Sequence, residues 1–119
     1  VSDFQQGKKM YGEYLGLKHL KDETVAAYGC EIAFYQCGDI MLEIVHPIAP
    51  GPSWNFLKNH GPGIHHICYE VENVDEMLEI AKEKFKTSYD EPDRGAGNTK
   101  IFFLDPRSIG NVETEFTGK

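Results

Sequence analysis

Two adjacent imidazoles and two distant carboxylates are the side chains of this sequence best placed to do chemistry. His65 and His66 lie in the stretch Gly63-Ile-His-His-Ile-Cys-Tyr-Glu-Val71, and Glu43 and Glu115 lie inside otherwise apolar runs. The stretch from Ile64 to Val71 is rich in β-branched and aromatic residues and follows a Gly61-Pro62-Gly63 loop, so it reads as a strand. Side chains alternate along a strand, which puts Ile64, His66, Cys68 and Glu70 on one face and His65, Ile67, Tyr69 and Val71 on the other. Only one of the two histidines then faces a given site. A histidine on a sheet face can ligate a metal or carry a proton; a half-buried histidine with a satisfied hydrogen bond is the plainer alternative. Glu43 shares a strand face with Met41 and Val45, where a carboxylate is out of place if that face meets the core. Glu115 shares a face with Glu113. Taken singly, each glutamate reads equally well as solvated charge on an edge strand.

The elements that must hold these groups follow from punctuation and periodicity. Asp3 can cap a helix from Phe4 to Leu15, with Gly16 as its stop. Leu17 to Leu20 reads as a short strand and Lys21 to Thr24 as a polar turn. Gly29–Gln36 and Ile40–His46 read as a hairpin around Cys37-Gly38-Asp39. Ser53 can cap a helix running to His60, packed down by Trp54, Phe56 and Leu57. Asn73 or Asp75 caps a helix from about Glu76 to Phe85. Thr87–Tyr89, Lys100–Leu104 and Val112–Phe116 read as strands, and Asp90–Asn98 as a loop.

Composition narrows the function classes. The chain has 119 residues, 40% of them hydrophobic, enough for one domain with a real core. Its net charge of −7 argues against a nucleic-acid footprint, which needs a basic surface. No apolar run approaches a membrane span and no signal-peptide pattern opens the sequence. Cys30, Cys37 and Cys68 lack zinc-finger spacing and read as reduced thiols, the expectation for a cytoplasmic protein.

The two halves resemble each other. Val1-Ser-Asp-Phe4 and Val71-Glu-Asn-Val74 each precede a helix. Glu31-Ile-Ala-Phe34 parallels Lys100-Ile-Phe-Phe103, and Asp39-Ile-Met-Leu-Glu43 parallels Asn111-Val-Glu-Thr-Glu115. Each half reads strand, helix, strand, strand, strand, except that the first half lacks its first strand.

With Tyr11-x-x-x-Leu-Gly-Leu17, Leu42-Glu-Ile44, Gly63-x-His-His-Ile67 and Phe103-Leu-Asp-Pro106 added, the chain resembles the vicinal oxygen chelate superfamily of glyoxalases, bleomycin resistance proteins and dioxygenases. Glu43-Ile-Val-His-Pro47, Trp54-x-Phe-Leu57 and Gly63-Ile-His-His-Ile-Cys68 are most similar to methylmalonyl-CoA epimerases. The terminal Asp105-Pro-Arg107 and Gly110-Asn111 follow the commoner superfamily form. The resemblance implies an α+β fold of two βαβββ modules in a cupped mixed sheet, over residues 1–60 and 61–119 of a single domain. It implies a divalent metal on Glu43, His66 and Glu115, with a fourth ligand from a first strand that this sequence does not contain. One imidazole and two carboxylates suit Co, Ni, Zn, Mn or Mg without choosing among them. His65 then supports the site without joining it.

The reaction implied is proton transfer next to a carbonyl through an enolate, with Glu115 and Glu31 as the acid/base pair of an epimerase. A glyoxalase I-like lactoylglutathione lyase and a metal-free, drug-sequestering binding protein of the same fold are the alternatives. The expected partner is a small thioester or thiol adduct, with Arg94, Lys100 and Arg107 as candidate phosphate cations. Neither nucleic acid nor membrane is expected, and a homodimer is.

Overall fold

The computed structural model describes residues 1–119 as two compact units, Val1–Ile64 and His65–Lys119. In the first, α1 (Phe4–Lys8) leads through a wider, π-helical turn (Lys9–Tyr14) into β1 (Lys18–Val25), β2 (Cys30–Cys37), β3 (Ile40–Pro47) and α2 (Pro52–His60). The strands form an antiparallel sheet in the order β1-β2-β3. In the second unit, β4 (Ile67–Val71), α3 (Val74–Lys84), β5 (Asp93–Arg94), β6 (Lys100–Phe103) and β7 (Thr114–Gly118) form a mixed sheet in the order β4-β7-β6-β5. That is a complete βαβββ module. The first unit repeats it without the opening strand, as its sequence predicts. No helix is long and apolar enough to cross a membrane.

Each sheet buries one face under its helix. In the first unit Ala33, Tyr35 and Ile44 pack against Phe4, Tyr11, Leu17 and Leu42. The helix comes so close that a Cβ on Gly12 would lie 3.0 Å from the Tyr35 ring. The opposite face carries Cys30, Ile32 and Phe34 with Val25 and Val45. In the second unit α3 lays Val74, Leu78 and Ala81 onto Phe102, Leu104 and Phe116, with the Phe102 and Phe116 rings stacked 5.0 Å apart. The caps follow the sequence: the Asp3 and Asn73 side chains accept the backbone N–H groups of Gln6 and Glu76. Gly38, at φ +60°, makes the predicted hairpin turn.

Several elements differ from their sequence-based prediction. The polar run Lys21–Thr24 is the second half of β1, not a turn, because β2 supplies its ladder partners. Thr87–Tyr89 forms no strand; the Thr87 hydroxyl instead donates to the Phe103 carbonyl. The short β5 lies in the stretch expected to be loop. Gly51 rather than Ser53 is the N-cap of α2, since Pro52 at the first helical position needs no hydrogen bond from its nitrogen. Trp54 is 42% exposed rather than core. β4 begins at Ile67, which leaves both histidines just before the strand.

Candidate functional site

His66 and Glu115 are brought together by adjacent parallel strands. Pairing of Ile67 with Thr114 and of Cys68 with Glu115 sets the start of β4 beside the start of β7. His66 Nε2 then lies 2.9 Å from Glu115 Oε1, and the two side chains are only 19% and 14% exposed. The Phe103 ring, opposite Glu115 on β6, meets the His66 ring edge-on at 5.3 Å. An imidazole and a carboxylate are thus held against an aromatic wall that removes water from one side.

His65 adds a second imidazole. Strand alternation predicts that the two histidines point apart, but both precede the first ladder residue and their rings meet, Nδ1 to Nδ1, at 2.7 Å. Burial first, and the His66 charge second, hold His65 neutral down to about 4. One of the two rings donates its Nδ1–H to the other, and His66 Nε2 donates to the Glu115 carboxylate when it carries a proton. For His66 Nε2 to ligate an ion, that proton must leave or move to Nδ1, from which it is donated back to His65. His65 is therefore a direct neighbour of the His66 ring, where alternation along a strand predicts that the two point apart. Burial also pushes the Glu113 carboxyl up, with the His66 charge opposing it.

The first unit carries the other predicted residues, on two faces of one sheet. Glu43 pairs across strands with Phe34, and Val45 with Ile32. It therefore lies on the face away from α1. Cys30 shares that face, and its thiol is pushed up by burial and then by the Glu43 charge. Glu31 is turned the other way. It pairs with His46, whose Nδ1 is 2.9 Å from its carboxylate, and the His46 ring stacks on Phe4 of α1 at 5.9 Å. The structure does not bring Glu31 to the face of Glu43, because it is one and three positions from Ile32 and Phe34, and odd offsets along a strand fall on opposite faces.

Glu23 is the residue that the sequence reading missed. It lies opposite Ile32 on the Glu43 face. Its Oε2 is buried without a hydrogen-bond partner, and the nearest cation, Lys21 Nζ, is 3.8 Å away, too far for a hydrogen bond. A buried carboxylate oxygen left unpaired costs stability unless something else uses it. The signal in sequence was the alternation of Glu23 with Val25, hidden by reading the run as a turn.

The predicted phosphate cations are mostly spent on carboxylates. Lys100 binds Asp75 at 2.6 Å, and Arg107 forks onto Asp105, which holds that carboxyl down at about 2. Arg94 lies on the short β5.

Neither unit by itself gathers three His, Cys, Asp or Glu side chains around one point. Within the second unit, however, a borderline nitrogen donor and a hard oxygen donor already converge at hydrogen-bond distance, largely out of water. That donor chemistry fits a divalent ion.

A βαβββ module preceded by a copy that lacks its opening strand, each with a last-strand carboxylate on the face away from its helix, defines the class. The profile of the Glyoxalase/Bleomycin resistance protein/Dioxygenase superfamily matches residues 1–103, and the chain belongs to that superfamily. Within it, the chain is 32% identical over 117 residues to the uncharacterized protein YqjC of Bacillus subtilis, covering 97% of this chain and 84% of that protein. It is 30% identical over 118 residues to the mitochondrial methylmalonyl-CoA epimerase of Mus musculus, covering 97% of this chain and 66% of the mouse protein, about two thirds of its length. Among solved structures, Streptomyces coelicolor methylmalonyl-CoA epimerase in complex with 2-nitronate-propionyl-CoA matches with a TM-score of 0.91 at 24% identity, over 100% of this chain and 91% of that one. That last likeness is one of fold.

Proposed function

We propose that this chain catalyses epimerisation at the carbon next to the carbonyl of a CoA thioester of methylmalonyl type, using a divalent ion. The observation that carries the reading is the His66–Glu115 pair, shielded by Phe103, in a chain whose relatives include methylmalonyl-CoA epimerases. His66 and Glu115 would hold the ion, with Glu43 of the first unit as the third donor. When bound, such an ion supplies a positive charge that stabilises the enolate oxygen.

The remaining work falls to side chains. Glu115 Oε1, already the acceptor of the His66 proton, is the base for the α-proton. The Phe103 wall limits water beside it, which strengthens its interaction with the acidic C–H as charge develops. Epimerisation returns the proton to the opposite face of the carbanion and so needs a second group. Glu31 is the group the resemblance implies, and its carboxylate bonds His46 on the α1 face. Glu23, with a buried and unpartnered oxygen on the Glu43 face, takes that role in the proposal.

The test is solvent exchange. Wild-type protein with added Co²⁺, methylmalonyl-CoA and D₂O should incorporate one deuteron at the α-carbon, read by NMR or mass. A methylglyoxal–thiol assay beside it reads lyase chemistry. No exchange with Co, Ni, Zn, Mn or Mg rejects the proposal.

A further inference from the structure

The face of the first unit away from α1 holds a feature that the internal repeat does not require. β1 and β2 pair with a register shift: His19 lies opposite Tyr35, and Lys21 lies opposite Phe34, so Leu20 is an extra residue in β1. A bulge of this kind swaps the face of every side chain beyond it. Side-chain contacts on both sides of it record the swap. His19, before the bulge, meets the Tyr35 ring at 5.2 Å on the α1 face. Asp22, after it, is on that same face, bonded to Lys8 of α1 at 2.5 Å and to His19 at 2.7 Å. Simple alternation would have sent Asp22 away from α1 and turned Lys21 and Glu23 toward it. The bulge instead delivers Lys21 and Glu23 to the face of Phe34 and Glu43.

We infer that Lys21 recognises a free carboxylate on the substrate, and so selects carboxylated acyl thioesters over their uncharged counterparts. The inference rests on the reaction proposed above. Lys21, Phe34 and Glu43 form one cross-strand row, with Phe34 in the middle. Lys21 and Glu43 are two strands apart, roughly 10 Å at the backbone. The Lys21 ammonium leans back over the ring, 5.0 Å from its centroid, which shortens the gap. A malonyl group carries its carboxylate and its thioester carbonyl on one carbon. It is of the size to reach from an oxygen-binding centre at Glu43 to an ammonium above Phe34.

Charge argues the same way. This face presents the carboxylates of Glu23 and Glu43 in a protein of net charge −7, so an anionic substrate group needs a local cation. Lys18, the other lysine of β1 on that face, sits before the bulge opposite Gln36, in the neighbouring row. Lys21 makes a cation–π contact with a buried ring and only a long ion pair with Glu23. An ammonium has three donors, so it is oriented and still able to bond a carboxylate.

The experiment compares binding of methylmalonyl-CoA and propionyl-CoA, which differ by that carboxylate, to the Co²⁺-loaded wild type and to Lys21→Met and Lys21→Arg. The wild type should prefer the carboxylated ligand by roughly tenfold to a hundredfold, the worth of a hydrogen bond between charged groups. Lys21→Met should lose that preference with propionyl-CoA affinity changed less than about twofold, and Lys21→Arg should keep most of it. Full preference in Lys21→Met, no preference in the wild type, or no binding of either ligand overturns the inference. Wild-type α-proton exchange is measured in parallel. Preference lost in Lys21→Met without any exchange removes the reaction and keeps the recognition; exchange with preference intact does the reverse.

Discussion

Glu115→Gln separates a ligating carboxylate from one that merely bonds His66. The amide oxygen still accepts from His66 Nε2–H at the 2.9 Å contact, so metal-free stability should change by less than about 1 kcal/mol. Ion binding should change far more. At one hundred times its Kd, an ion that binds only the folded state stabilises it by about 2.7 kcal/mol. For a domain of this length that is a rise in Tm of about 10 °C. Loss of a supporting contact alone costs metal sites as much as ~100-fold in affinity, and loss of a charged ligand should cost at least that. The same ion concentration then sits near Kd and contributes only about 0.4 kcal/mol, or 1–2 °C. The assay is differential scanning fluorimetry across Co, Ni, Zn, Mn and Mg, with His66→Ala as the second variant. An ion-induced shift in Glu115→Gln equal to that of the wild type would refute ligation by Glu115. No shift in the wild type with any of these ions would refute the centre itself.

Leu78→Ala should cost 2–5 kcal/mol in urea unfolding, about the range for emptying a buried leucine site, because Leu78 is 1% exposed between α3 and the sheet. Gly118→Ala should cost upward of about 2 kcal/mol and loosen β4 in hydrogen exchange, since its Cβ would fall 2.1 Å from the Val71 carbonyl oxygen, which cannot swing aside. Lys8→Met tests an ion pair. The hydrogen bond from Lys8 holds the Asp22 carboxyl below its ordinary 3.8, so the pair stabilises above that pH and the benefit is lost as pH falls through the lowered value. Solvent screening limits the difference to at most about 0.5–1 kcal/mol at pH 7, shrinking toward zero once the pH is below that lowered value. Finally, Glu23→Gln should lower kcat by roughly 10²–10⁴ while Glu31→Gln changes it only a few-fold; equal effects would reject the assignment of the second proton group.

The sequence disclosed what depends on neighbours along the chain. The Asp3 and Asn73 caps, the Gly38 turn, α3 and the paired β2–β3 strands all have local signals. So did the residue types at 43, 66 and 115. What stayed hidden depends on partners far away. Lys21–Thr24 is polar enough to read as a turn, and only the β2 ladder makes it strand. The contact between the His65 and His66 rings was hidden because strand alternation was applied one or two residues before the ladder begins. Glu31 was assigned from a matched position, but the face it occupies is set by hairpin register and by the His46 that meets it. The cations expected to meet phosphate include two whose nearest carboxylates, Asp75 and Asp105, were not legible as partners.

The register gives the internal repeat a physical content that sequence similarity alone does not. Phe34 lies opposite Glu43 in the first unit, and Phe103 lies opposite Glu115 in the second. Each unit therefore sets a last-strand carboxylate beside an aromatic ring on the sheet face its helix leaves open. The units differ in what covers that ring. In the second it is the His66 imidazole, delivered by the strand on the far side of β7. In the first it is the Lys21 ammonium, delivered by the strand on the far side of β2 after a bulge. The strand equivalent to β1 in the second unit is β5, only two residues long, which is too short to hold such a bulge. The carboxylate–ring pair is thus common to the two units, while the strand that covers each ring differs. The first unit sets an ammonium beside its ring and carboxylate, chemistry that suits an anion, and the second sets an imidazole there, chemistry that suits a cation or a proton.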